Sequence, residues 1–123
     1  MRQHGFTLIE MLAAVAVLAI AMAAILSGMA RFANNAAHLQ TRTISVWVAH
    51  NRLTEIDLQR AWPDEGKSDG EMAMAGLDWK WEVEVKKTPD PTLRRVEIWV
   101  LPQRGERSAA PTLTAFIANT GRQ

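Results

Sequence analysis

The sequence contains no cysteine, which excludes a disulfide frame and a thiolate metal site but fits periplasm and cytoplasm equally well. It also lacks an excess of charge. At a formal net charge of +1, with no basic block or stripe, it offers nothing to neutralise a run of phosphates, so nucleic acid is not an expected partner. Its three histidines, His4, His38 and His50, are scattered without an HExxH pattern or any other ligand spacing. His50 shares a helical face with Asp57 and lies near Glu55, but no third ligand joins them. No nucleophile, metal or phosphate motif stands out, and there is no internal repeat or low-complexity stretch. The expectation is a chain without enzyme activity, cofactor or metal, built as one small domain with at most one appended element.

Polar residues are missing from one region above all. From Phe6 to Ala30 only Thr7, Glu10, Ser27 and Gly28 fall outside the apolar set, and Met11 to Leu26 has no polar side chain. A helix over these positions is about 37 Å long at ~1.5 Å per residue, enough to cross a bilayer core of ~30 Å with some tilt. Three kinds of segment fit: a cleavable secretory signal ahead of a periplasmic enzyme or binding module, a plain membrane anchor, and a processed assembly helix. Arg2 supplies the basic start of a signal, and Ala21–Ala23 offers an Ala-x-Ala site. Against a secretory signal stand the length of the run, beyond the usual ~7–15 residues, and the charge at Glu10. A carboxylate in hydrocarbon costs about 2.5–3.5 kcal/mol if central, and such charges usually have a partner. Arg2 lies two helical turns away. Cutting the chain between Gly5 and Phe6 provides a better cation, because the new α-amino group, with an ordinary pKa of about 7.7–8.0, lies one turn from Glu10. Glu10 then neutralises its own amino terminus or that of a subunit packed beside it. The bland alternative is a charge tolerated at the membrane interface. Alanines 13, 14, 16, 19, 21, 23 and 24 permit close helix packing in a membrane or filament.

Gly5-Phe6-Thr7-Leu8-Ile9-Glu10 followed by a long apolar run resembles the class III signal of type IV pilins and type II secretion pseudopilins. The resemblance implies that Gly5 is the scissile residue for a prepilin peptidase that also N-methylates Phe6, and that Glu10 governs subunit docking. It implies a leader of residues 1–5, a transmembrane stem of 6–30 in the inner membrane and a periplasmic head of 31–123.

Beyond the stem, Phe32, Ala36, Leu39, Thr43, Val46, Ala49, Leu53 and Ile56 recur every three or four residues, which predicts one helix running to about Ala61 with a single buried stripe. Arg42, Ser45, Arg52, Glu55 and Gln59 lie off the stripe and are expected in water, Trp47 reads as structural, and Gly28 is the softest point at ~1 kcal/mol relative to alanine. Pro63 stops the helix. Residues 62–77, rich in glycine and charge, read as a loop, with a short strand at 71–74 the exception. The period then becomes two. Trp79, Trp81, Val83 and Val85 alternate with Lys80, Glu82, Glu84 and Lys86 in a half-buried strand. Thr88–Thr92 turns the chain, a second strand covers Leu93–Leu101, Pro102–Pro111 is a loop, and a third strand covers Thr112–Asn119. Short connections favour antiparallel pairing, so the fold class is α+β: a long helix against a small antiparallel sheet over 78–119.

Trp99 and Phe116 fall on the faces opposite their strands' aliphatic residues. Either they mark a partner surface or the 62–77 segment covers them. Hairpin register would set Arg94 and Arg95 opposite Glu82 and Glu84 as cross-strand ion pairs.

The stretches Trp47–Leu53, Met74–Trp81 and Leu93–Glu97 resemble the minor pseudopilin I family of the general secretion pathway, within the type IV pilin-like fold, over nearly the whole chain. The match departs at His50, where that family more often has glutamate. This resemblance implies a structural protein at the tip of a periplasmic pseudopilus, with the minor pseudopilins J and K, H nearby and the major pseudopilin as partners. The rival within the same class is a minor pilin of a type IV pilus.

Overall fold

The computed structural model describes residues 4–59, 61–102 and 105–121. Arg2 lies outside them. One long helix, α1 (Leu8–Leu58), is followed by four strands, β1 (Gly66–Met74), β2 (Leu77–Lys87), β3 (Leu93–Pro102) and β4 (Leu113–Ala118), joined in sequence order as one antiparallel sheet. The chain divides into two compact units, Met1–Leu39 and Gln40–Gln123. The helix passes through Gly28 without a break.

The first unit has no core. Every described residue from His4 to Leu39 is exposed, including Phe32 and Leu39 of the expected stripe. The helical part of this unit, Leu8–Leu39, is about 48 Å long at 1.5 Å per residue. From Met11 to Leu26 it is apolar all round, and a helix of that kind is stable only when something else covers it.

The second unit has a core of its own. Ile44, Val48, Ala49 and Ile56 from α1 meet Trp79, Trp81 and Val83 of β2, Val96, Ile98 and Val100 of β3, and Ile117 of β4. Burying each valine or isoleucine here contributes about 1.5–3 kcal/mol. The buried face of α1 is rotated from the expected stripe. Thr43 is exposed and Val46 half-buried, whereas Ile44, Ser45 and Val48 are buried. Ser45 tolerates burial because its hydroxyl donates to the Thr41 carbonyl four residues back, at 2.8 Å. Trp47 is exposed rather than structural.

Three further expectations are corrected. The helix ends at Leu58, three residues before Ala61, and the chain then brings Trp62 against the core, where the Arg94 guanidinium lies 5.0 Å from its ring centroid. The 62–77 segment is not a loop but carries the nine-residue β1, so the sheet has four strands and not three. Its turn to β2 is the pair Ala75 and Gly76, both at positive φ (53° and 73°), the geometry of a two-residue turn matched to the twist of a hairpin. Along β1, Gly70 faces Trp81, and a Cβ there would come within 2.4 Å of that ring. The missing side chain is therefore the space into which Trp81 fits. The Arg52 guanidinium, expected in water, stacks 4.0 Å from the Trp81 centroid instead and binds Glu55 at 2.7 Å.

Candidate assembly site and head surface

The residues singled out at the amino terminus lie at the start of α1. Thr7 caps it: its Oγ1 accepts from the Glu10 backbone N–H at 3.3 Å, and its carbonyl accepts from Met11 N–H at 3.1 Å. Thr-x-x-Glu is the sequence of a capping box, and Glu10 is the acid of the first turn, where the helix dipole favours negative charge. Both the position and the sequence favour a carboxylate here within the single chain. Phe6 is exposed, and the space around Gly5 is open, with no atom within 4 Å of where a Cβ would stand.

The sheet face turned away from α1 carries the other candidates. Trp99 is only 5 % exposed. It is covered by the return loop rather than by the 62–77 segment: Arg107 lies 3.8 Å from the Trp99 ring centroid, and its two terminal nitrogens reach Glu82 at 3.0 Å and Glu84 at 3.7 Å. Thr112 fastens the end of that loop. Its N–H donates to the Ile98 carbonyl at 2.8 Å, and its hydroxyl accepts from Val100 N–H at 3.0 Å. Trp99 presents no aromatic surface to a partner. Phe116, by contrast, is 62 % exposed on β4.

Glu97 was missed by sequence reasoning. Its side chain is buried on this outer face, directly opposite Glu84 in the β2–β3 register. Two carboxylates so placed repel, and Lys86 offsets this by reaching Glu97 at 2.8 Å and Glu84 at 3.5 Å. Arg95 donates to the other Glu97 oxygen. Those two donors hold the Glu97 carboxyl below the ordinary glutamate range against the opposing effect of burial, and Glu97 in turn raises the Lys86 ammonium. The expected pairs of Arg94 and Arg95 with Glu82 and Glu84 do not form. The five-residue turn sets Arg95 opposite Lys86 and Arg94 opposite Lys87, and Arg94 instead binds the Pro63 carbonyl and Glu65. The turn itself is held by Asp90, whose carboxylate accepts from the Thr92 hydroxyl at 2.6 Å and the Thr92 N–H at 2.9 Å. The signal for Glu97 was faint: a lone acid in an otherwise apolar run, Val96–Leu101. Among the described residues no group of three or more His, Cys, Asp or Glu is placed to hold a metal ion.

Comparison with known proteins gives this arrangement its context. Residues 39–118 match the family described as "Type II secretion system (T2SS), protein I", and residues 1–26 match the "Prokaryotic N-terminal methylation motif". The chain belongs to the type II secretion system protein I family. It is 38 % identical to the type II secretion system protein I of Pseudomonas aeruginosa over 96 % of this chain and 97 % of that one. The protein of the same name from Pectobacterium carotovorum is 33 % identical over 94 % and 96 %, and that of Dickeya chrysanthemi 31 % over 98 % and 97 %. The family match takes in the second half of α1 and all four strands, and the methylation motif takes in Gly5, Phe6, Glu10 and most of the apolar run. With one helix among the described residues long and apolar enough to cross a membrane, near the N-terminus, this member of the family is a single-pass inner-membrane protein. It is a minor pseudopilin of the type II secretion system, with the long helix and antiparallel sheet of a type IV pilin-like fold.

Proposed function

We propose that this pseudopilin is cut between Gly5 and Phe6 and methylated on Phe6. It then enters the pseudopilus tip through its N-terminal helix, with the charge of Glu10 answering an amino terminus in the assembly. Its partners there are the minor pseudopilins J and K, with H and the major pseudopilin adjoining, and the tip they form starts pseudopilus growth and supports export of folded proteins from the periplasm across the outer membrane. The head lies in the periplasm and the leader in the cytoplasm, in keeping with Arg2 on the inside. The observation that carries this reading is the first unit itself: a capped helix with no core, apolar on all sides from Met11 to Leu26, and one carboxylate at its amino-terminal end. Such a helix needs lipid first and other helices later, and its alanines let them approach closely.

The test separates the intersubunit charge from the local cap. In a strain lacking the gene, wild type, Glu10→Ala and Glu10→Gln are each supplied, and three readouts are taken: the mass of the mature N-terminus, release of exoproteins, and surface pili. Gln retains an amide that can complete a capping box, so if capping were the whole role Glu10→Gln would secrete normally. The expected result is a methylated Phe6 terminus in all three, with exoproteins retained in the periplasm by both variants and pili unaffected. A wild-type protein that keeps Met1 in the presence of the peptidase overturns the processing step, and normal secretion by Glu10→Gln overturns the charge role.

A further inference from the structure

The two edges of the sheet differ in chemistry. At one edge β1 reads GKSDGEMAM, with Lys67, Asp69 and Glu71 along one face and glycines at 66 and 70. Charge and glycine on an edge discourage a further strand. At the other edge β4 reads LTAFIA, with no charge, no proline and no glycine. It pairs with β3 alone, so the backbone donors and acceptors on its far side have no strand partner among the described residues. Phe116 stands exposed on one face of this strand. Along the strand runs a groove of about 370 Å³, lined by Leu53, Thr54 and Asp57 of α1 and by residues 115–118 of β4, Phe116 included.

We propose that the free edge of β4 receives an uncharged edge strand from the head of a neighbouring pseudopilin, extending the sheet across the subunit boundary. The inference rests on the reading of the protein as a tip subunit, which brings heads of this fold side by side. A row of unpaired N–H and C=O groups is matched by another extended backbone and not by a helix. Charge decides the character of that strand, because β4 offers no side chain to pair with a charge that docking would desolvate. Its residues would lie over Phe116 and at the mouth of the groove between α1 and β4.

A photo-crosslinking amino acid placed singly at positions 114, 116 and 118 tests this in membranes of cells making the full set of pseudopilins, with positions 69 and 71 on β1 and position 17 in the stem for comparison. Products are identified by mass spectrometry. The expected result is strong crosslinking from β4 to one other pseudopilin, little from β1, and at least a tenfold fall in yield from position 114 when Phe116→Lys is added. That substitution should leave the thermal midpoint unchanged, since the ring is exposed. Silent β4 positions with a reactive position 17 overturn the strand-docking inference and leave assembly through the stem intact, as do β4 products joined to a second copy of this chain or β1 products as abundant as those of β4. A position 17 that also fails to reach another pseudopilin overturns the assembly reading, and this inference with it.

Discussion

Gly70 is the position at which one added methyl group should be felt most. Its backbone is not in the left-handed region, so the glycine is there for space and not for conformation. An alanine Cβ would stand 2.4 Å from Cζ2, 2.9 Å from Cε2 and 3.1 Å from Cη2 of Trp81. The ring has little room to retreat. The Arg52 guanidinium stacks 4.0 Å from its centroid, and the residue is packed within the core between α1 and the sheet. Gly70→Ala should therefore carry the ordinary cost of overpacking, about 1–3 kcal/mol. That exceeds the roughly 0.5–1 kcal/mol an alanine gains over glycine inside a regular element. For a cooperative unit of this size each kcal/mol lowers the midpoint by about 4–8 °C. The assay is thermal unfolding of the full chain in detergent, followed by near-ultraviolet circular dichroism and tryptophan fluorescence. A double-mutant cycle with Trp81→Leu isolates the clash: once the large ring is gone, Gly70→Ala should be neutral or mildly stabilising. If Gly70→Ala alone melts with wild type, or costs as much stability in the Trp81→Leu background as in the wild-type one, the steric argument is refuted.

Two further outcomes follow from the outer face of the sheet. Because Lys86 and Arg95 depress the Glu97 carboxyl, its stabilisation is present above the ordinary glutamate value of 4.5 and is lost as pH falls through the lower folded value. Stability should drop below about pH 4.5, and Glu97→Gln should flatten that part of the profile; an unchanged acid slope would sink the assignment. Arg107→Ala should unfasten the loop over Trp99 at a cost of about 0.5–2 kcal/mol and raise acrylamide quenching of the Trp99 signal, isolated by subtracting Trp99→Phe; unchanged quenching would mean that something other than Arg107 covers the ring.

Much of this could be read from the sequence where the physical cause is local. The apolar run, the glycine before phenylalanine and the single carboxylate are neighbours in the chain, and the alternation of Trp79, Trp81, Val83 and Val85 is written every second residue. Most of the features that were missed depend on partners distant in sequence. Strand β1 has the composition of a loop, with Gly66, Asp69 and Gly70, and is a strand because β2 offers it a ladder and Trp81 needs the space at Gly70. Polarity alone assigns Arg52 and Ser45 to water, yet the Arg52 guanidinium stacks on Trp81 and binds Glu55 while its Nε stays buried without a partner, and the Ser45 hydroxyl donates to the Thr41 carbonyl one turn back. Strand β3 carries this furthest. Its aliphatic residues at 96, 98 and 100 point to one dry face and one wet one, but Val96 to Leu101 are all buried: on the second face Arg107 stacks over Trp99, and Lys86 and Arg95 close on Glu97. Glu97 then becomes an acid inside a double-sided strand, tolerable only with Lys86 and Arg95 in place. Removing both cations should therefore cost more than removing the carboxylate, since each of them retains water when unpaired and Glu97 does not. That inequality follows from which partner is buried, and no pattern along β3 alone contains it.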